Sequence, residues 1–167
     1  GIVTYRGHGA WDEWWNWNLP GETYFSSDVD LLTNPIAPVV WSIACSTYDL
    51  TQEDSFAEHW MASPAPHGAV SFYGASEPSG TDANHVVTRA LHRAVFEHDM
   101  TKQGLAIAFG EKAMADTGGP GNSWRYGLLG DPDMDVRRES QSHFTVIKPL
   151  HLPIGGTVAV PFQVLDA

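Results

Sequence analysis

The chain has 167 residues, 43% of them apolar and 17% charged, with a formal net charge of −11. These values describe one folded domain with room for a small appendage and exclude a disordered chain. They also speak against nucleic acid as a partner, because nine lysines and arginines spread along the sequence cannot neutralise a run of phosphates.

In chain order, GIVTYR at 1–6 reads as a strand. The chain therefore opens inside a structural element with no secretory signal before it, and an upstream fragment of the same precursor is expected. Residues 7–18, GHGAWDEWWNWN, read as a loop, and LPGET is a turn signal. PVVWSIA, 38–44, is an apolar run rich in β-branched residues, as in a parallel strand covered on both faces. Cys45 stands at its carboxyl end. TQEDSFAEHWMA, 51–62, predicts a helix capped by Thr51 with Asp54, ended by Pro64 and Pro66. GAVSFYGAS, 68–76, is a second buried strand.

DANHVVTRALHRAVFEHD, 82–99, gives the clearest helical pattern, with Val86, Val87, Ala90, Leu91, Ala94 and Val95 on one face and Asp82 as cap. TKQGLAIAFGEKAMADT, 101–117, is a weaker helix with two internal glycines. GGPGN is a loop, and WRYGLLGDPDMDVR a strand that ends in a turn. No apolar stretch approaches the roughly 20 residues needed to cross a bilayer. Strands alternating with helices define an α/β layered domain over 1–140. From about residue 143 the texture becomes strand-like, with prolines and no helix, so 141–167 reads as the start of a β-sandwich.

Two residues of chemical interest occupy equivalent positions. His8 follows the first strand and Cys45 the second, and in a parallel sheet reacting groups gather at the carboxyl ends of strands. Neighbouring strands would bring the imidazole and the thiol to one rim, the pairing that cysteine-based acyl transfer needs. Gly9 allows close backbone approach to a substrate, and its N–H with that of Cys45 could receive a developing oxyanion. Each residue alone has a plainer reading, a loop histidine and a packed strand-end cysteine. The single cysteine excludes an internal disulfide and any zinc site built on several thiolates.

YRGHG, then WSIACSTYDL with its cysteine 37 residues after the histidine, then FAEHWM, HGAVSFYGAS and YGLLGDPDMDV, resemble the gingipain-type cysteine peptidases, members of the caspase-like group. The resemblance covers residues 1–136. It implies a caspase-like three-layer sandwich with a mostly parallel sheet, followed by the beginning of an immunoglobulin-like β-sandwich. It further implies a cysteine endopeptidase with His8 as general acid/base, Cys45 as nucleophile, and Gly9 and the Cys45 amide as oxyanion donors. No cofactor is required, the protein is secreted or on the cell surface, and its partners are a protein or peptide substrate and an upstream fragment of the same precursor. The acid that orients the imidazole in this family lies upstream of the histidine, where this chain has nothing, and the tryptophan-rich insert after GHG departs from the family pattern.

Around this pair, Trp11, Trp14, Trp15 and Trp17 read either as a cluster that holds its own loop down or as a wall for substrate, with Trp11 nearest His8. Ser76 and Glu77 follow the next strand and are candidates for the specificity pocket, where an inward Glu77 would favour a basic side chain; a solvated loop glutamate is the plainer reading. His59, His85, His92 and His98 read as helix-packing or surface residues. DPDMD, 131–135, lacks the spacing of an EF-hand and reads as a solvated turn, although calcium as a structural ion would suit the acidic composition. A competing function is a peptide- or carbohydrate-binding module without turnover, built on the Trp11–Trp17 cluster. A metal hydrolase using His8 is weaker, since Asp12 is its only close support.

Overall fold

The computed structural model describes residues 1–15, 21–62, 67–118 and 121–137, together with the strands at 143–146 and 162–165. In chain order the elements are β1 (Ile2–Arg6), β2 (His8–Ala10), β3 (Glu13–Trp15), β4 (Thr23–Phe25), α1 (Ser26–Val29), β5 (Val39–Ile43), α2 (Phe56–Ala62), β6 (Ser71–Ala75), α3 (Thr81–Phe96), α4 (Gln103–Gly118), a 3₁₀ turn (Ser123–Arg125), β7 (Tyr126–Leu129), β8 (His143–Val146) and β9 (Phe162–Leu165).

The main sheet runs β1-β5-β6-β7. β1 lies parallel to β5 with Ile2 opposite Val39 and Arg6 opposite Ile43, and β5 lies parallel to β6. β7 closes the sheet antiparallel, Ala75 opposite Tyr126. Every residue of β5 and β6 is buried, as continuous apolar runs in a parallel sheet require. The pleat then divides them between two cores. Trp41, Ile43 and Tyr73 pack with Val87, Leu91 and Val95 of α3 and Ala106, Ile107 and Met114 of α4. Val40 and Phe72 pack on the other face with Val29, Phe56, Trp60 and Trp14. Helices on one side and α1, α2 and the tryptophan segment on the other make the third layer.

The segment expected as a loop is a small sheet. β2, β3 and β4 form an antiparallel sheet with His8 opposite Trp15, Gly9 opposite Trp14 and Trp14 opposite Tyr24. Three-residue strands carry too little alternation to be read from sequence, yet the pleat is plain in the outcome: Trp14 is buried and Trp15 is exposed. The Trp14 ring stacks on Tyr5 and meets Tyr24, Phe56 and Trp60. Trp17, Pro64 and Pro66 lie outside the described residues.

Two helix starts differ from expectation. Asp49 accepts from the Thr51 N–H at 3.1 Å and its hydroxyl at 2.6 Å, drawing Thr51 into a turn and holding the Asp49 carboxyl below its usual range. The cap falls instead on Ser55, whose N–H and hydroxyl both donate to Glu58, so α2 begins at Phe56. α3 is preceded by Gly80 at the cap position, with Asp82 inside the first turn.

One buried polar chain crosses the layers. The Trp14 indole N–H donates to Ser42 Oγ at 2.8 Å, and Ser42 Oγ lies 2.7 Å from Thr47 Oγ1. Ser42 and Thr47 are both fully buried. Ser42→Ala leaves an indole N–H and a hydroxyl unsatisfied in the core, so it is expected to lower stability by about 1–3 kcal/mol in urea unfolding.

Among the described residues no strand pairs with the outer edge of β1. No helix among them is long and apolar enough to cross a membrane. Within the range expected to open a β-sandwich, β8 and β9 pair antiparallel, His143 opposite Leu165. The rest of 138–167 lies outside the described residues.

Candidate active site

β1 ends at Arg6 and β5 at Ile43 on the same rim, because the two strands are parallel and in register. The chain turns at once in both places. After β1, Gly7 and His8 enter β2; a Cβ at Gly7 would collide with the Tyr5 hydroxyl. That hydroxyl donates toward the His8 and Trp15 carbonyls, 2.9 and 2.7 Å away, and fixes the backbone that carries the imidazole. Burial raises the Tyr5 pKa, which keeps the hydroxyl a donor. The His8 ring lies beside Trp15, centroids 5.6 Å apart.

After β5, Cys45 begins a turn that is pinned from β6. The Ser46 N–H donates to the Glu77 carbonyl at 3.2 Å and the Tyr48 N–H to the Ala75 carbonyl at 2.9 Å. Ser46 takes a left-handed φ of 56°, an uncommon conformation for a residue with a side chain. Gly9 is buried directly against this turn. A Cβ there would lie 2.7 Å from Thr47 Cγ2, 2.9 Å from Ala44 Cβ and 3.0 Å from the Cys45 carbonyl oxygen. The histidine segment and the cysteine turn therefore touch backbone to backbone.

His8 and Cys45 line one recess of about 80 Å³ with Arg6, Gly7, Ser79, Thr81 and Asn84. The Ser79 N–H points at Cys45 Sγ at 3.4 Å, and the thiol faces the Ser79 carbonyl and hydroxyl at 3.7 and 3.9 Å. Behind Ser79, the Asn84 amide donates to Ser79 Oγ at 2.8 Å and the Tyr126 hydroxyl donates to Asn84 Oδ1 at 2.7 Å. Burial foremost, with the nearby Cys45 adding, raises the Tyr126 pKa well above the tyrosine range. Tyr126 thus remains a donor, Asn84 is fixed in one orientation, and the Ser79 hydroxyl, which accepts from Asn84, can turn its hydrogen toward the sulfur. Ser79→Ala removes that hydrogen but keeps the N–H, and is expected to slow alkylation of Cys45 by iodoacetamide about three- to ten-fold.

The other sequence candidates stand around the recess rather than in its lining. Trp11 sits at the tip of the β2–β3 hairpin, 42% exposed, its carbonyl accepting from the Phe56 N–H at 2.6 Å. Ser76 donates through both N–H and hydroxyl to the Arg125 carbonyl. The Glu77 carboxylate lies 3.7 Å from Arg125 Nε, and the same guanidinium donates to the Pro78 carbonyl. Arg6, Ser79, Thr81 and Asn84 carry no motif; the usable signal was the position of 79–84, between a buried strand and the start of the strongest helix.

His59 pairs with Asp30 at 2.8 Å, His92 packs edge-on against Trp41, and His98 packs on Phe109. In the acidic turn, Lys102 Nζ donates to the Asp133 carbonyl at 2.8 Å and lies 3.2 Å from the Asp135 carboxylate. Among the described residues no group of three or more histidine, cysteine or acidic side chains could hold a metal.

A mostly parallel sheet between helical layers, with one imidazole and one thiol at adjacent strand ends, is the arrangement of a caspase-like α/β domain. The model of peptidase family C25 matches residues 1–137, and the chain belongs to that family. Its fold is also that of solved peptidases. The Arg-specific cysteine proteinase gingipain R (RgpB) is 19% identical, with a TM-score of 0.73 over 87% of this chain and 36% of that one. The complex of Porphyromonas gingivalis RgpB pro- and mature domains gives 19% identity and 0.73 over 87% and 37%. A structure described only as a protease gives 19% and 0.71 over 91% and 39%. The chain thus spans little more than a third of the length of these structures. No curated protein sequence matches it.

Proposed function

We propose that the chain carries the nucleophile and general acid/base of a cysteine endopeptidase. The observation that supports this best is the shared recess of His8 and Cys45 at the ends of adjacent parallel strands. Cys45 Sγ attacks the peptide carbonyl carbon after its proton passes to His8. The tetrahedral intermediate places its oxyanion toward the Gly9 and Cys45 amides. Collapse breaks the C–N bond, and His8 returns the proton to the leaving amine. Water then adds to the thioester with His8 as base, releasing the acid and the thiol. This sequence of steps uses side chains and backbone only. Trp11, Ser76 and Glu77 would contact the substrate further from the scissile bond.

A strand from the same precursor is the partner we assign to the outer edge of β1. That edge is unpaired among the described residues, and exposed edges are normally covered. An open cleft of about 850 Å³ beside it, lined by Val3, Tyr5, Trp14, Tyr24 and Trp60 among others, offers apolar surface for the side chains of such a strand. A pro- and mature-domain complex is described for RgpB. We place the action of the protein outside the cell on its resemblance to gingipain-type peptidases.

Thiol reactivity tests the catalytic reading. Iodoacetamide should alkylate Cys45, the only cysteine, much faster than it does a free model thiol, and His8→Ala should slow it at least about ten-fold. Equal and slow rates in both proteins would favour a binding module that does not turn over.

A further inference from the structure

We infer that Arg125 is a positioning residue for the thiol of Cys45: its guanidinium holds the peptide plane between Pro78 and Ser79 so that the Ser79 N–H stays aimed at the sulfur. This rests on the peptidase reading above. Arg125 acts in it through Ser79 and not on the substrate.

The sheet brings the parts together. β5 and β6 are parallel, so the segment that leaves β6 passes the turn that carries Cys45. β6 and β7 are antiparallel with Ala75 opposite Tyr126, so the same segment also runs beside the residues that enter β7. Residues 76–80 therefore lie between the cysteine turn and residues 122–126, and each is tied to the latter. The Ser76 N–H and hydroxyl donate to the Arg125 carbonyl at 2.7 and 3.0 Å. The Glu77 carboxylate lies 3.7 Å from Arg125 Nε. The Pro78 carbonyl accepts from Arg125 Nη1. The Ser79 hydroxyl lies 3.4 Å from that of Tyr126, and the Gly80 N–H donates to Asn122 Oδ1 at 2.8 Å.

The contact at Pro78 is the one that reaches the sulfur. A peptide unit is planar and, before a residue other than proline, trans, so its C=O and N–H point in opposite directions. The Pro78 carbonyl faces Arg125 at one end of the plane, and the Ser79 N–H faces Cys45 Sγ at 3.4 Å at the other. Turning the plane would lose both. A charged donor on the carbonyl also polarises the unit and strengthens its N–H as a donor. That N–H bonds a thiolate more strongly than a thiol, so the contact serves the attacking form of the sulfur. The Glu77–Arg125 pair is open to water and contributes little. The Ser76 contacts use the backbone of Arg125 and survive truncation of its side chain. That side chain is 41% exposed, so truncation opens no hole in the core.

The experiment uses the full-length protein and iodoacetamide, a probe too small to be selected by a substrate pocket. Modification of Cys45 is followed by peptide mass spectrometry. The rate is measured at about pH 6, where an ordinary thiol is protonated, and at about pH 9.5, where most of it is ionised. The ratio of the two rates is formed within one protein, so the concentration of active material cancels. Apart from position 125 the titratable and charged groups around the sulfur stay the same: His8 and Arg6 in the recess, Tyr126 behind Ser79, and Glu77 on the wall. In Arg125→Ala the low-to-high pH ratio should fall about three- to ten-fold. The fall should persist at about 0.5 M salt, which screens exposed charges beyond a few ångström. Arg125→Lys keeps the charge and one donor but not the planar fork, and its ratio should fall part of the way. An unchanged ratio in Arg125→Ala, or a fall that salt abolishes, would overturn the inference and leave the peptidase reading standing. Alkylation indifferent to His8 at both pH values would overturn both.

Discussion

Cys45→Ala should reduce peptide cleavage by at least about 10⁴-fold, and His8→Ala should do nearly as much, measured on the full-length protein with a fluorogenic peptide library. The two effects should not add. Nucleophile and base act as one unit, so the double variant should be no slower than the worse single one. The alanine at 45 removes the atom that forms the acyl intermediate and leaves a hole of one sulfur at a half-exposed position, so the variant should fold. The imidazole is half-buried at the rim beside Trp15, and its loss should cost little stability. Cleavage that survives in Cys45→Ala would rule out a thiol mechanism for this protein.

The second large effect is expected at Gly9, far from any ionisable chemistry of its own. A methyl group there meets Thr47 Cγ2, Ala44 Cβ and the Cys45 carbonyl oxygen at 2.7, 2.9 and 3.0 Å. Two of these atoms are side-chain carbons in the core and one is backbone, so relief must come from separating the histidine strand from the cysteine turn. Overpacking of this kind costs about 1–3 kcal/mol. A displacement of about 1 Å between reacting groups costs roughly 10²-fold in rate. Gly9→Ala should therefore lower kcat/KM about 100-fold while the unfolding midpoint falls only modestly. Adding Thr47→Ser removes the closest offending carbon and keeps the hydroxyl that faces Ser42. The double variant should recover a measurable part of both losses. Full activity in Gly9→Ala would show that the contact is not what sets the geometry of the pair.

The sequence was most legible where burial is complete. VVWSI and SFYGA are apolar throughout because both faces of β5 and β6 are covered, and that pattern alone located the strand end where Cys45 lies. His8 was placed by its position after the short strand GIVTYR, which is only half-buried and carries no such apolar run. The burial pattern failed between residues 7 and 25. The strands there are three residues long, and the feature that orders them, Trp14 buried against Tyr5 and Phe56, brings to Trp14 a ring from 42 positions further along the chain. A tryptophan-rich loop and a tryptophan-cored hairpin look alike in one dimension. The start of α2 was misplaced for a local reason, since Asp49 and Glu58 compete to organise the residues between them and each wins its own half. The recess was hidden for a topological one. Arg6 and Ser79 are 73 positions apart and meet only because β1 and β6 flank β5.

The open side of β1 bears on how the protein behaves when purified. Among the described residues no strand covers that row of backbone donors and acceptors beside the aromatic cleft, so wherever the proposed precursor strand is missing a second copy can take its place and concentrated samples are expected to self-associate edge to edge. The charge of −11 opposes this at low ionic strength, and added salt weakens that repulsion, so light scattering should rise as salt is raised.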